Sequence, residues 1–151
     1  MTIARLTSAV DVVRFWDVLL TGLKVVALKS NEPLDEAVML KTVLWLVNEP
    51  AHGYVNIAYQ AEEYVGFSIW QDSTPPFVTE RSFIARAIYS AQGSQGTVVK
   101  LLADFEQWAQ AEGIHRFIVS TRRHSGAAIR HFQSPKYGFT KGAITFEKII
   151  K

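Results

Sequence analysis

The sequence predicts an α/β fold, a mixed and mainly antiparallel sheet flanked by about four helices. Three observations predict it. Two runs of β-formers, Tyr54 to Tyr59 and Tyr64 to Trp70, are separated by Ala61-Glu62-Glu63, which reads as an antiparallel hairpin. A third run, Ser82 to Tyr89, leads into the turn Gly93-Ser94-Gln95-Gly96-Thr97-Val98. Beyond that turn Val98, Leu101, Leu102, Phe105, Trp108 and Ala109 fall on one face at helical spacing, with Lys100, Asp104, Gln107 and Gln110 off it. Gly113 ends that helix and Phe117-Ile118-Val119 reads as a short buried strand, so strand, turn, helix and strand form a βαβ-like unit.

The other elements follow the same logic. Thr2 to Leu6 is a first strand. Ser8, with Asp11 three residues on, resembles a capping box that opens a helix burying Val12, Phe15, Trp16, Leu19, Leu20 and Leu23. Ser30 to Pro33 breaks the chain, and Pro33 suits the first position of a second helix. Leu40, Val43, Leu44 and Val47 form its inner stripe, and Asn48-Glu49-Pro50 ends it. Asp72 to Pro76 is a turn. Ser125 caps a short helix through Phe132 that Pro135 ends, and Ala143 to Ile150 is a final strand.

Composition bounds the function. The 151 residues read as one domain, 1–151, with 48% hydrophobic and 20% charged residues, the balance of an ordinary globular protein. The absence of cysteine excludes disulfides, thiolate metal sites and a cysteine nucleophile, and suits a cytoplasmic location. No apolar run approaches the roughly 20 residues of a membrane span. The beginning of the chain lacks the basic-then-apolar layout of a signal peptide. A net charge of +2 gives no electrostatic argument for nucleic acid.

The glycine turn carries the chemistry. Glycines allow a sharp turn and leave amides uncovered. The first amides of a helix lack partners and sit at its positive end. Together they can cradle a phosphate or pyrophosphate. The bland alternative is a βα turn whose glycines serve geometry alone.

The order of elements, the segment Gly93 to Leu102 running on through Trp108-Ala109 to Gly113-Ile114, and Ala127-Ala128-Ile129-Arg130-His131-Phe132 followed by Tyr137-Gly138-Phe139 together resemble the GNAT family of acetyltransferases over nearly the whole chain. The resemblance implies a sheet splayed at its middle strands. It implies acetyl-CoA as cosubstrate, with its pyrophosphate on the backbone amides of Gln95, Gly96, Thr97 and Val98, with Gly93 and Ser94 of the same turn also cofactor-binding, and with its pantetheine arm beside Ile88 and Tyr89. Ser125 and Arg130 are further cofactor contacts. A primary amine, on a small molecule or a protein, would attack the thioester directly. Tyr137 or Tyr89 would protonate the leaving thiolate, and Glu80 is a candidate base. A homodimer is compatible with the resemblance.

The motif is degenerate. Gly93 stands where the family has Gln or Arg, and Val98 where it has Gly or Ala. Ser125 replaces an Asn and Phe132 a tyrosine, and the spacing from Phe132 to Gly138 is longer than usual. These departures support a second reading, a non-catalytic protein of this fold acting as a CoA-binding sensor, partner-binding module or assembly component.

The remaining signals have bland and sharp readings. Arg122-Arg123-His124, with Arg130, His131, Lys136 and Lys141, is a solvated basic loop or a contact for CoA phosphates. The four histidines lack metal-site spacing, so no metal is expected. Glu63 and Asp72 are the other acids close to the central strands. There is no Gly-x-Ser-x-Gly elbow and no lysine of a nucleotide-binding P-loop, which argues against a serine hydrolase and a nucleotidase.

Overall fold

The computed structural model describes residues 1–30, 32–94, 96–119 and 134–140. They fall in two compact units, Met1–Ser120 and Thr121–Lys151. The expected helix at 125–132 and strand at 143–150 lie outside the described residues. Among the described residues of the second unit a 3-10 turn, Pro135–Tyr137, ends at Gly138 with φ 70°.

The first unit runs β1 (Thr2–Arg5), α1 (Ala9–Arg14), α2 (Trp16–Ser30), α3 (Glu36–Asn48), β2 (Gly53–Gln60), β3 (Glu63–Asp72), β4 (Ser82–Ser90), α4 (Thr97–Ala111) and β5 (Arg116–Ile118). The five strands lie in the order β1-β2-β3-β4-β5. All neighbours are antiparallel except β4 and β5, which run parallel because α4 crosses between them. The mixed, mainly antiparallel sheet of the sequence reading is thus the observed one.

Side chains alternate across this sheet and divide the core in two. Val55, Ile57, Phe67 and Ile69 face α1 to α3 and pack with Val12, Phe15, Leu19, Leu23, Val43, Leu46 and Val47. On the other face Trp70 stacks on Phe105 of α4, ring centroids 3.8 Å apart, while Phe83, Trp108 and Phe117 meet the same ring at its edge or tilted. These buried aromatics fix α4, and with it the turn that precedes α4, against the sheet.

Three local expectations need correction. The first helix is two: α1 ends at Phe15, with φ −103° and ψ 9°, and α2 continues to Ser30. The break lets Phe15 turn inward, where its ring meets Tyr64 edge-on at 4.9 Å. Ser8 does cap α1, accepting from the Asp11 amide at 3.3 Å, but the Asp11 carboxylate reaches back to the amide of Thr7 at 3.0 Å. The Thr7 amide, with burial acting the other way and Ser8 and the Thr7 hydroxyl adding to it, holds Asp11 below the usual carboxylate range. Pro33 does not open α3. Asp35 does, because its side chain accepts from the Val38 amide at 3.1 Å, an interaction that proline cannot supply. The hairpin tip is Ala61-Glu62 alone, since Glu63 already pairs with Gln60 in β3.

Candidate functional site

The site begins with how helices start. α1 and α3 have side-chain caps and acidic residues in their first turns. α4 has neither: its cap is Gly96, in the left-handed region at φ 79°, with no acid in the first turn. A glycine there lets the chain enter the helix without a side chain over its end. Gly93 is also left-handed, at φ 83°, and a Cβ added at either glycine would meet nothing within 4 Å. Among the described residues the space over both is open. The first helical bond runs from the Lys100 amide to Gly96 O at 3.1 Å. Among the described residues the amides of Gly96 and Val98 have no acceptor. Gly96 is exposed and Val98 half-buried, so both remain at the surface of the turn.

The rest of the turn serves as its scaffold. Ser94 is fully engaged: its amide and hydroxyl donate to Ala91 O at 3.2 and 2.6 Å, and its carbonyl accepts from Thr97 Oγ1 at 3.0 Å. Thr97 is wholly buried and faces β3. The polar side chains of Ser94 and Thr97 are engaged inside the turn, so a contact of either residue with a ligand would come through the backbone. Gln95 lies outside the described residues.

The sheet opens beside this turn. β5 pairs with β4 at Ser82, Phe83 and Ile84 only, while β4 runs on to Ser90. Ala91 donates to Val65 O at 2.8 Å, and Tyr89 lies opposite Phe67 in the same register. By the two-residue alternation of a strand, the backbone groups of Ile88 and Ser90 face the other edge, where β5 is not paired among the described residues. Ile88 therefore offers a backbone edge and Tyr89 a side chain. The Tyr89 ring packs on Phe67 at 5.6 Å and over Gly22 of α2, where a Cβ would lie 2.8 Å from it. Its phenol has no hydrogen-bond partner among the described residues.

Other candidates are scattered. Glu80 is exposed on the bend before β4, a strand length from the turn and at the end where β4 and β5 are paired. The structure does not bring it to the turn. Glu63 is exposed and, with Gln60, Tyr64, Gln92 and Gly93, lines a shallow depression of about 390 Å³. Asp72 is engaged by its neighbours. Burial alone would raise it, but the Thr74 hydroxyl and amide, His52 at 3.4 Å and the charge of Arg81 hold it below the ordinary carboxylate value. Tyr137 ends the 3-10 turn of the second unit. Ser125, Arg130 and most of the basic cluster lie outside the described residues. Among the described residues no His, Asp and Glu group could hold a metal.

Sequence reasoning missed one buried network. Asn56 of β2 donates to Leu101 O at 3.1 Å and to Asp104 Oδ2 at 2.8 Å. It accepts from the Ser68 hydroxyl, which in turn accepts from Trp70 Nε1 at 2.8 Å. Tyr54 donates to the same Asp104 oxygen at 2.6 Å, and burial, then the Asp104 carboxylate, pushes its phenol above its ordinary range. Arg5 lies over the Tyr54 and Trp108 rings at 4.6 and 5.0 Å. The signal was an asparagine in the middle of a fully apolar strand, since a buried amide must find partners.

Comparison with known proteins places the fold. No protein-family model matches the chain, and no curated protein matches it in sequence. Solved structures do match. An aminoglycoside acetyltransferase from an uncultured soil metagenomic sample, in complex with sisomicin, superposes with TM-score 0.76 at 19% identity, over 99% of this chain and 96% of that one. A ribosomal-protein-alanine N-acetyltransferase from Brucella melitensis superposes with TM-score 0.68 at 15% identity, over 100% of both chains. A GNAT family acetyltransferase from Staphylococcus aureus does so with TM-score 0.69 at 12% identity, over 99% of this chain and 100% of that one. The fold is that of the GNAT acetyltransferases. At these identities the likeness fixes the GNAT architecture and leaves the chemistry to the residues of this chain.

Proposed function

We propose that this chain, as one GNAT domain over 1–151, is an N-acetyltransferase that moves an acetyl group from acetyl-CoA to a primary amine. The observation that carries the reading is the uncapped, acid-free start of α4 at the end of β4, beside the stretch of β4 that β5 leaves unpaired. Among the described residues the fit is favourable: nothing lies within 4 Å of a Cβ placed at Gly93 or Gly96, the amides of Gly96 and Val98 have no acceptor, and the edge at Ile88 and Ser90 is not paired with β5. Gly96 and Val98 would hold the pyrophosphate. The Ile88 edge would take the amide-bearing pantetheine arm as an added strand. Acetyl-CoA supplies the activated acyl thioester. The amine would then attack the thioester carbonyl, losing a proton to a carboxylate or an ordered water as the carbon–sulfur bond breaks, and a phenol would supply a proton to the departing sulfur, for which Tyr89 is the described candidate and Tyr137 the second.

The acceptor is an amine of open identity. The neighbours named for aminoglycosides and for a protein's alanine motivate a panel holding both small amines and peptide N-termini. The reading also takes the protein as cytoplasmic and admits a homodimer. The test is acetyl-CoA turnover over that panel, read as thiol release. Turnover that Tyr89→Phe lowers in kcat with little change in KM supports Tyr89 as the acid. CoA binding without turnover on any amine favours the sensor or binding-module reading, which the phenylalanine at Phe132 already motivates.

A further inference from the structure

The turn before α4 is held from beneath by a chain of hydroxyls. Thr97 Oγ1 donates to Ser94 O at 3.0 Å, Ser94 Oγ donates to Ala91 O at 2.6 Å, and Ser90 Oγ lies 3.1 Å from Ser94 Oγ. The chain rests on Gly66 of β3. A Cβ at Gly66 would lie 2.7 Å from Thr97 Cγ2 and 2.5 Å from Tyr89 O, so only glycine lets Thr97 sit down on the strand. Thr97 is the first residue of α4 and is wholly buried, between the two surface amides of Gly96 and Val98. No part of its side chain is left for a ligand.

We infer that Thr97, with Ser94 and its seat at Gly66, is a positioning residue that sets the orientation of the Gly96 and Val98 amides for the anion. The inference rests on the function proposed above and concerns that same site. The physical argument is one of geometry. α4 has no side-chain cap, so its first turn is not held from outside. The Thr97 hydroxyl holds it from inside, because its bond to Ser94 O ties the first helical residue to the loop on the far side of Gly96. Valine at this position keeps the shape and the packing on Gly66 but loses the bond. Serine keeps the bond and loses only the methyl.

The experiment is calorimetric titration with CoA of the wild-type chain, Thr97→Val, Thr97→Ser and Ser94→Ala, each with its melting temperature. Thr97→Val is expected to raise Kd about five- to tenfold, the size of one hydrogen bond expressed as an equilibrium constant. Thr97→Ser should return Kd to near the wild-type value, and Ser94→Ala, which keeps the carbonyl that Thr97 bonds and removes only the hydroxyl's bond to Ala91 O, should weaken binding less than Thr97→Val does. With an acceptor amine in hand, KM for acetyl-CoA should rise while KM for the amine stays unchanged. A Thr97→Val chain that melts lower but binds CoA as tightly as wild type overturns the inference and makes the hydroxyl a packing feature alone. A wild-type chain that binds no CoA overturns the underlying function as well. If Thr97→Val fails to fold, Thr97→Ala, which also removes the hydroxyl, carries the test, and unchanged affinity there is equally decisive.

Discussion

Replacing Asn56 by leucine tests whether the buried amide network secures α4 to the sheet. Leucine has a similar volume, so the change is one of polarity more than of cavity. Asn56 is fully buried and spans β2, β3 and α4 through Ser68, Leu101 and Asp104. In the variant the Ser68 hydroxyl loses its acceptor and Asp104 keeps only Tyr54 among these partners. Each buried polar group left short of a partner costs about 1–3 kcal/mol, so the sum is about 3 kcal/mol. For a chain of this length that corresponds to a fall of about 6–12 °C in melting temperature. Urea unfolding and thermal melts followed by circular dichroism measure it. The double variant with Asp104→Ala should lose less than the sum of the two single losses, because both changes remove the bond between Asn56 and Asp104. A loss under about 1 kcal/mol for Asn56→Leu would show that the network is dispensable and that the stacked aromatics alone hold α4.

Two other perturbations bear on the fold. Ala61 and Glu62 sit at φ 51° and 66°, so both hairpin residues are left-handed without being glycine. Glu62→Gly should raise stability by about 1 kcal/mol, the left-handed penalty less the entropy that glycine adds to the unfolded chain, and the melting temperature by a few degrees. Asp72 titrates lower in the folded than in the unfolded chain, so its contribution to stability is fully present above its unfolded pKa, near 4, and fades as pH falls through the folded value. The stability difference between the wild-type chain and Asp72→Asn should therefore be constant from pH 5 to 7 and shrink in more acidic buffer; a difference that stays constant below pH 3 would contradict the pairing with Thr74 and His52.

Local chemistry made much of this legible in the sequence. The hairpin of β2 and β3, the amphipathic α4 and its glycine entry follow from periodicity and from the residues that turns require. The cap at Ser8 was legible for the same reason, since its partners are three and four residues away. What could not be read depends on contacts distant in sequence. Phe15 breaks a helix because Tyr64 offers its ring a place in the core. Ser94 and Thr97 have the residue types of a phosphate-binding turn, yet the space at Gly66 lets Thr97 turn inward, so that its side chain is engaged within the turn. Glu80 lies on the bend before β4, at the end where β5 pairs, a placement set by a strand far along the chain.

The most direct test of the central claim is isothermal titration of the wild-type chain and of Gly96→Val with CoA. At φ 79° a β-branched side chain strains the turn and fills the open space above it. The account predicts micromolar binding by the wild-type chain, lost in Gly96→Val while circular dichroism shows the fold intact. Equal binding by both chains would place the ligand elsewhere and contradict the assignment of this turn.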